Sequence, residues 1–259
     1  MGAYHEREIA EDLAEACRVL GAFDMMHGAT GHVSYRLDDT DTMLIKGKGP
    51  NQAALRYTKA RDIIKVDFEA EMVDGPVGLQ PPSESFIHAC IYKMRPDVKA
   101  VVHAHPEYSV LLGITGKEIY PAYGPFRPGA NLARDGVPIY PDHRTVTTAE
   151  QGEALAEVMG ERNVALMVGH GISAAGTSIP EASMNALALE ILCKTLYKAY
   201  LIGTPKRLPE GALGAVGSRG ESNRRRGSAG GEEGMRANWR YYVARAEEML
   251  GGRSEHEDD

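Results

Sequence analysis

The sequence predicts an α/β fold of the α+β type, with a central, mainly antiparallel sheet flanked by helices. Three observations predict it. Short strand-like runs follow one another early in the chain, with turns between them and few crossover helices, which favours antiparallel pairing. Helical apolar spacing, framed by capping residues, recurs around those runs. A chain of 259 residues with 43% hydrophobic residues can also bury a sizeable core.

The elements follow in order. Residues 6–23 place Ile9, Leu13, Ala16, Cys17, Leu20 and Phe23 near a helical period and read as an amphipathic helix. The turn Gly28-Ala-Thr-Gly leads into an alternating strand over 32–37, which Asp38-Asp-Thr-Asp turns back into a strand over 42–46. Gly47-Lys-Gly-Pro then breaks the chain. Residues 63–68 form a further strand, with 71–73 as its partner. Gln80-Pro-Pro-Ser-Glu introduces a helix with Ser83 as N-cap and Glu84 in the first turn, and Arg95-Pro ends it. The apolar run Val98–His105 is a strand, and Val137-Pro-Ile-Tyr is strand-like. Thr148-Ala-Glu-Gln and Ser178-Ile-Pro-Glu are capping boxes. The first opens a helix to Met159, and the second a long helix to about Tyr200. Another apolar run, Val164–Gly171, lies between those helices.

Composition divides the chain. Residues 1–204 read as one catalytic domain. Residues 205–234, rich in Gly, Ser, Arg and Glu, read as a flexible linker. Residues 235–259 hold a helix with Trp239, Tyr242, Val243, Ala246 and Leu250 on one face, then an acidic tail expected to be disordered. Such a helix docks either on the chain's own core or on a neighbouring subunit.

Several function classes are disfavoured. A net charge of −7 argues against a nucleic-acid partner, which calls for a basic face. No apolar run reaches the ~18 residues of a membrane span, and the first residues lack the apolar core of a secretory signal. Cys17, Cys90 and Cys193 are odd in number, scattered, and set in helical apolar patterns, as reduced buried thiols are. A cytoplasmic protein with no membrane partner is expected.

The chemistry concentrates in the histidines. His103 and His105 close their apolar run one residue apart, so their imidazoles point the same way from a strand end. His170 closes the second run between glycines that let backbone approach an ion. Three neutral imidazoles with an open position describe a catalytic divalent metal site. Imidazole ligands suit Zn, Mn, Fe, Co or Ni without selecting among them. Glu84 is the acid/base candidate, since a partly desolvated carboxylate near a metal can be tuned towards neutral pKa; in a first turn it also suits the helix dipole. His88, one turn later on the same face, either orients Glu84 or is a surface residue. The loops at 28–32 and 47–50 can offer backbone N–H groups to an anion, with Lys46, Lys48, Arg127 and Arg134 as possible positive charge. No Gly-x-Ser-x-Gly nucleophile elbow is present.

These pieces, in this order, resemble the class II aldolase/adducin superfamily over about residues 8–202. The matching stretches are Gly28-Ala-Thr-Gly-His-Val-Ser-Tyr-Arg, Met43-Leu-Ile-Lys-Gly-Lys-Gly, Pro82-Ser-Glu, Arg95-Pro-Asp-Val-Lys-Ala-Val-Val-His-Ala-His and Gly169-His-Gly. The resemblance implies an α/β/α layering around a mainly antiparallel sheet, and a homo-oligomer, typically a C4 tetramer with sites at subunit interfaces. It implies one divalent metal ion per subunit (Zn, Mn, Fe or Co) on His103, His105 and His170, with Glu84 as catalytic acid/base. Tails in that family also suggest that the C-terminal helix shields an active site.

The departures concern substrate. The family's phosphate-holding asparagine is matched by His32, its threonine by Lys46 or a neighbour, and the first serine of its Ser-Ser-Glu stretch by Pro82. The loops look more like those of decarboxylases of hydroxylated aromatic acids, of the 3,4-dihydroxyphthalate type. On that reading the substrate is a small anionic molecule from aromatic-compound catabolism. His32 and Lys46 join Glu84 as catalytic groups, and Gly31, Ser83 and Arg127 contact substrate. The alternatives are a class II aldolase or epimerase on a hydroxy-carbonyl or sugar-phosphate compound, and a non-catalytic adducin-like binding module.

Overall fold

The computed structural model describes residues 2–38, 40–124, 128–209, 212–213 and 232–251. Arg127, most of the 205–234 segment and the acidic tail therefore lie outside the described residues. One eight-stranded sheet runs through the molecule in the order β4-β3-β2-β1-β5-β8-β7-β6. Its strands are β1 (His32–Arg36), β2 (Thr42–Lys46), β3 (Ile63–Asp67), β4 (Met72–Asp74), β5 (Ala100–Ala104), β6 (Ile139–Tyr140), β7 (Val164–Met167) and β8 (Gly171–Gly176). Every pairing is antiparallel except β6 with β7. The predicted fold class is borne out. No helix among the described residues is long and apolar enough to cross a membrane.

Strand alternation separates two cores. Val33, Leu44, Ala100, Val102, Ala104, Leu166 and Ile172 face one layer, built from α1 (Gly2–Ala22), α3 (Glu107–Ile114), α5 (Ile179–Ile202) and α6 (Glu232–Met249). Met43, Ile45, Ile64, Val101, Ala165 and Met167 face the other, built from α2 (Ser85–Met94) and α4 (Ala149–Met159). The period of two forces this division: shifting any strand by one residue would exchange its two faces.

Some helix ends follow their sequence signals and some do not. Thr148 and Gln151 form the reciprocal capping box at α4. Ser178 accepts the Glu181 amide at α5, but the Glu181 carboxylate turns to the Thr177 amide at 2.7 Å rather than to its N-cap. Ser83 does not cap α2. Glu84 occupies that position without a capping bond, and Ser85 Oγ donates to the Pro82 carbonyl at 2.8 Å. The Glu84 carboxylate is engaged elsewhere, as described below.

Two elements carry little local signal. Helix α3 is capped from a distance, because the Glu190 carboxylate in α5 accepts the Tyr108 and Ser109 amides and the Ser109 hydroxyl at 2.7–2.9 Å. Strand β8, Gly-Ile-Ser-Ala-Ala-Gly, is small because its neighbours press close: a Cβ at Gly171 would lie 2.3 Å from the Ala104 carbonyl. Helix α6 docks on the chain's own core, with Tyr242 edge-on to Phe23 at 5.4 Å. The segment beginning at 205 is held at its start. Tyr120 Oη donates to Pro205, Leu208 donates to Pro121, and Arg134 donates to Leu213.

Candidate metal centre

The site forms where β5 ends and where β8 and α2 begin. His103, second from the end of β5, lies on the α2 side of the sheet and is buried. Its Nδ1 must carry the proton, because it bonds the Ile172 carbonyl at 3.1 Å and a carbonyl only accepts. Its Nε2 lone pair is thereby turned inward, as a metal-ligating histidine needs. His105 follows just past the strand, held by its own amide on the Met25 carbonyl at 3.1 Å. His170 sits in the β7–β8 turn, where Gly169 takes the left-handed conformation at φ 64° and the His170 amide closes on Met167.

Glu84 completes the group. Its two carboxylate oxygens lie 3.3 Å from His103 Nε2 and 3.2 Å from His170 Nε2, while His103 and His105 bring their Nε2 atoms to 2.9 Å. The four ligand atoms all lie within 4.8 Å of one another. Two imidazole nitrogens facing each other this closely beside a carboxylate are a donor set that fits a divalent cation, so the residues present suit the metal their pattern implies. Burial pushes the Glu84 carboxyl up, but bonds and charge from His103 and His170 outweigh it and hold the group well below the usual carboxylate range. That direction is opposite to the tuning towards neutrality expected from burial alone. Burial, then His103 and His170, press His105 down to about 3. The Val146 amide, just before α4, also donates to Glu84, at 3.3 Å.

Residues 11–197 match the family described as Class II Aldolase and Adducin N-terminal domain. The chain belongs to that family. Among curated relatives of this class II aldolase/adducin chain, a 3,4-dihydroxyphthalate decarboxylase of Terrabacter sp. (strain DBF63) is 37% identical over 239 residues, covering 90% of this chain and 95% of the relative. A protein of the same name from Arthrobacter keyseri is 32% identical, covering 91% and 92% respectively. Among solved structures, the L-fuculose 1-phosphate aldolase of Glaciozyma antarctica PI12 superposes with a TM-score of 0.77 at 20% identity, over 95% of this chain and 91% of that one. That likeness concerns the fold.

The structure brings together only part of the set that the class II aldolase/adducin pattern suggests. His32 lies beside the centre, its ring stacked on His103 at 5.2 Å between centroids. Gly31 precedes it at φ 83°, where a Cβ would strike the Met26 side chain. Lys46 is not brought to the cluster. It is 2% exposed, and its ammonium donates to the Ala29 and Gly47 carbonyls. Lys46 follows Ile45, so the alternation of β2 sends its side chain to the opposite face. The nearer cation is Lys48, whose Nζ donates to Ser83 Oγ beside Glu84. Paired backbone bonds between Lys48 and Gln80 hold the two loops side by side. Arg134 is engaged away from the centre, on Asn131 and Leu213.

His88 proves neither exposed nor bonded to Glu84. It is fully buried and joins His32 to Ser34. The spacing Glu84-x3-His88-x3-Tyr92 was the available signal, since residues four apart share one face of a helix.

Proposed function

We propose that the protein is a metal-dependent carbon–carbon lyase, a non-oxidative decarboxylase of a hydroxylated aromatic dicarboxylate such as 3,4-dihydroxyphthalate. One observation carries the reading: Glu84, His103, His105 and His170 converge in a chain aligned over nine-tenths of its length with a decarboxylase of that substrate. His103, His105 and His170 would hold the ion, with Glu84 against them. A divalent ion in such a site supplies a Lewis acid that stabilises negative charge on oxygen as the C–C bond breaks.

The chain's own groups do the rest. Glu84, held as carboxylate, accepts the proton of a substrate hydroxyl and returns it to the ring carbon that loses CO₂, so one carboxyl serves as base and then acid. Lys48 and Ser83 lie beside it, where a retained carboxylate of the substrate would find an ammonium and a hydroxyl. His32 faces the same space from β1.

The metal is Zn, Mn, Fe or Co on this reading, and the pathway is aromatic-compound catabolism. A cytoplasmic location is supported by three buried free thiols, and a homo-oligomer by the exposed Ile114 beside the Gly169 turn. The docking of α6 on α1 supports a shielding role for the C-terminal segment, because Met25, just past α1, holds His105.

The test is incubation of metal-loaded protein with 3,4-dihydroxyphthalate and, separately, with ketose 1-phosphates, while CO₂ and products are followed. CO₂ with a dihydroxybenzoate is expected. Aldehyde release from the sugar phosphate without CO₂ from the aromatic acid would replace the reading with an aldolase.

A further inference from the structure

Behind His32 runs a buried file of polar groups that metal binding does not require. His32 Nδ1 lies 2.7 Å from His88 Nε2, His88 Nδ1 lies 2.6 Å from Ser34 Oγ, and Ser34 Oγ lies 2.6 Å from Tyr92 Oη. His88, Ser34 and Tyr92 are fully buried, and His32 alone retains some exposure, at 6%. The file therefore opens only at its His32 end, next to the metal centre. Two elements build it: β1 supplies His32 and Ser34 from one face, and α2 supplies His88 and Tyr92 from successive turns.

The protons in this file have one consistent arrangement. The fully buried Tyr92 hydroxyl has one proton, and Ser34 Oγ, 2.6 Å away, is its acceptor among the described residues. Pointed anywhere else, that buried proton would lack an acceptor, so it goes to Ser34 Oγ. The Ser34 proton then goes to its other partner, His88 Nδ1. His88 must carry its own proton on Nε2, which donates to His32 Nδ1. His32 is left with its proton on Nε2. A second proton on His32 would set two N–H groups against each other at 2.7 Å.

We propose that Tyr92, Ser34 and His88 are positioning residues whose one-way hydrogen bonds lock His32 as its Nε2–H tautomer, so that His32 offers the substrate a donor and never an acceptor. The inference rests on the proposed lyase reading only for what the donor is used for: an N–H beside the centre would hold a substrate carboxylate or developing oxyanion. The tautomer itself can be read without substrate.

The experiment is long-range ¹H–¹⁵N NMR on the zinc-loaded full chain labelled with ¹⁵N-histidine, for the wild type and Tyr92→Phe. The variant removes one oxygen and keeps the ring stacked on Phe68 at 5.7 Å. In the wild type, His32 is expected to show an unprotonated Nδ1 and a protonated Nε2. In Tyr92→Phe the His32 signals are expected to move towards a mixture of tautomers. Zinc content is expected to stay at the wild-type level, and kcat to fall about tenfold, the effect of one displaced hydrogen bond. A wild-type His32 protonated on Nδ1, or on both nitrogens, would overturn the proposal. So would an unchanged His32 tautomer in Tyr92→Phe. If the NMR result stands and no CO₂ is released from any aromatic acid, the lyase reading fails and the relay survives.

Discussion

The two faces of one sheet have been put to different uses. Towards α2, strands β1 and β5 present His32, Ser34 and His103, buried yet partnered, and the helix answers with Glu84, His88 and Tyr92. Towards α1 and α5, the intervening residues Val33, Val102 and Ala104 pack against Leu13, Leu20, Leu189 and Leu192. A single residue of register separates chemistry from apolar packing. Buried polar groups are tolerable only when every donor and acceptor finds a partner, so the polar face is specified by hydrogen bonds and the apolar face by volume.

Substitutions on the two faces are therefore expected to fail differently. On the proposed reading, His103→Ala removes a ligand and with it several kcal/mol of charge stabilisation, so metal content by elemental analysis is expected to collapse and activity to fall at least about a thousandfold. Retained metal and turnover would place the centre elsewhere. Glu84→Gln keeps the shape but removes the proposed base; kcat is expected to fall by about 10²- to 10⁴-fold with metal still bound. On the apolar face, Leu189→Ala leaves a cavity beside α5. A loss of about 2–5 kcal/mol in urea unfolding is expected, with metal affinity and kcat/KM of the remaining folded protein unchanged.

Acid sharpens the contrast. Burial first, then charge on His103 and against the opposing pull of Glu84, takes His88 down from 6.5 to about 3. Between those values the unfolded chain binds a proton that the folded chain refuses. Stability contributed by the neutral His88 is thus complete above pH 6.5 and is lost as pH falls below it, by at most about 1.4 kcal/mol per unit. The urea midpoint of metal-free protein is expected to drop between pH 7 and 5, and His88→Gln to flatten that slope. The smallest expected effect is on the thiols. Cys17 and Cys193 are buried and pushed up to about 12, so neither is expected to react with iodoacetamide at pH 8 until the protein unfolds, as mass spectrometry would report.

What the sequence revealed depended on how locally each feature is encoded. The histidine pair was legible because two residues apart on a strand means one face, whatever the rest of the fold does. Thr148 and Gln151 were legible because both halves of their cap lie within one turn. Helix α3 was not, since its cap is Glu190, 81 residues from Ser109. Strand β8 was not, since close packing selected glycine, alanine and serine over the large apolar residues by which strands are recognised. Lys46 was misleading in another way: its place beside a glycine loop suggested a substrate contact, but its strand parity turns it to the opposite face. His88 could be placed on the right face of α2, while its partners on β1 are visible only in three dimensions.

The bridge between Lys48 and Gln80 has an evolutionary consequence. None of Glu84, His103, His105 and His170 lies on the two strips it joins, 47–50 and 80–83, although the second strip adjoins Glu84. On the proposed reading, selection can therefore rewrite these strips for a new substrate headgroup while leaving the bond-breaking residues intact. A chimera that exchanges only these eight positions with a sugar-phosphate-processing relative would show how far preference can move when the reactive core stands still.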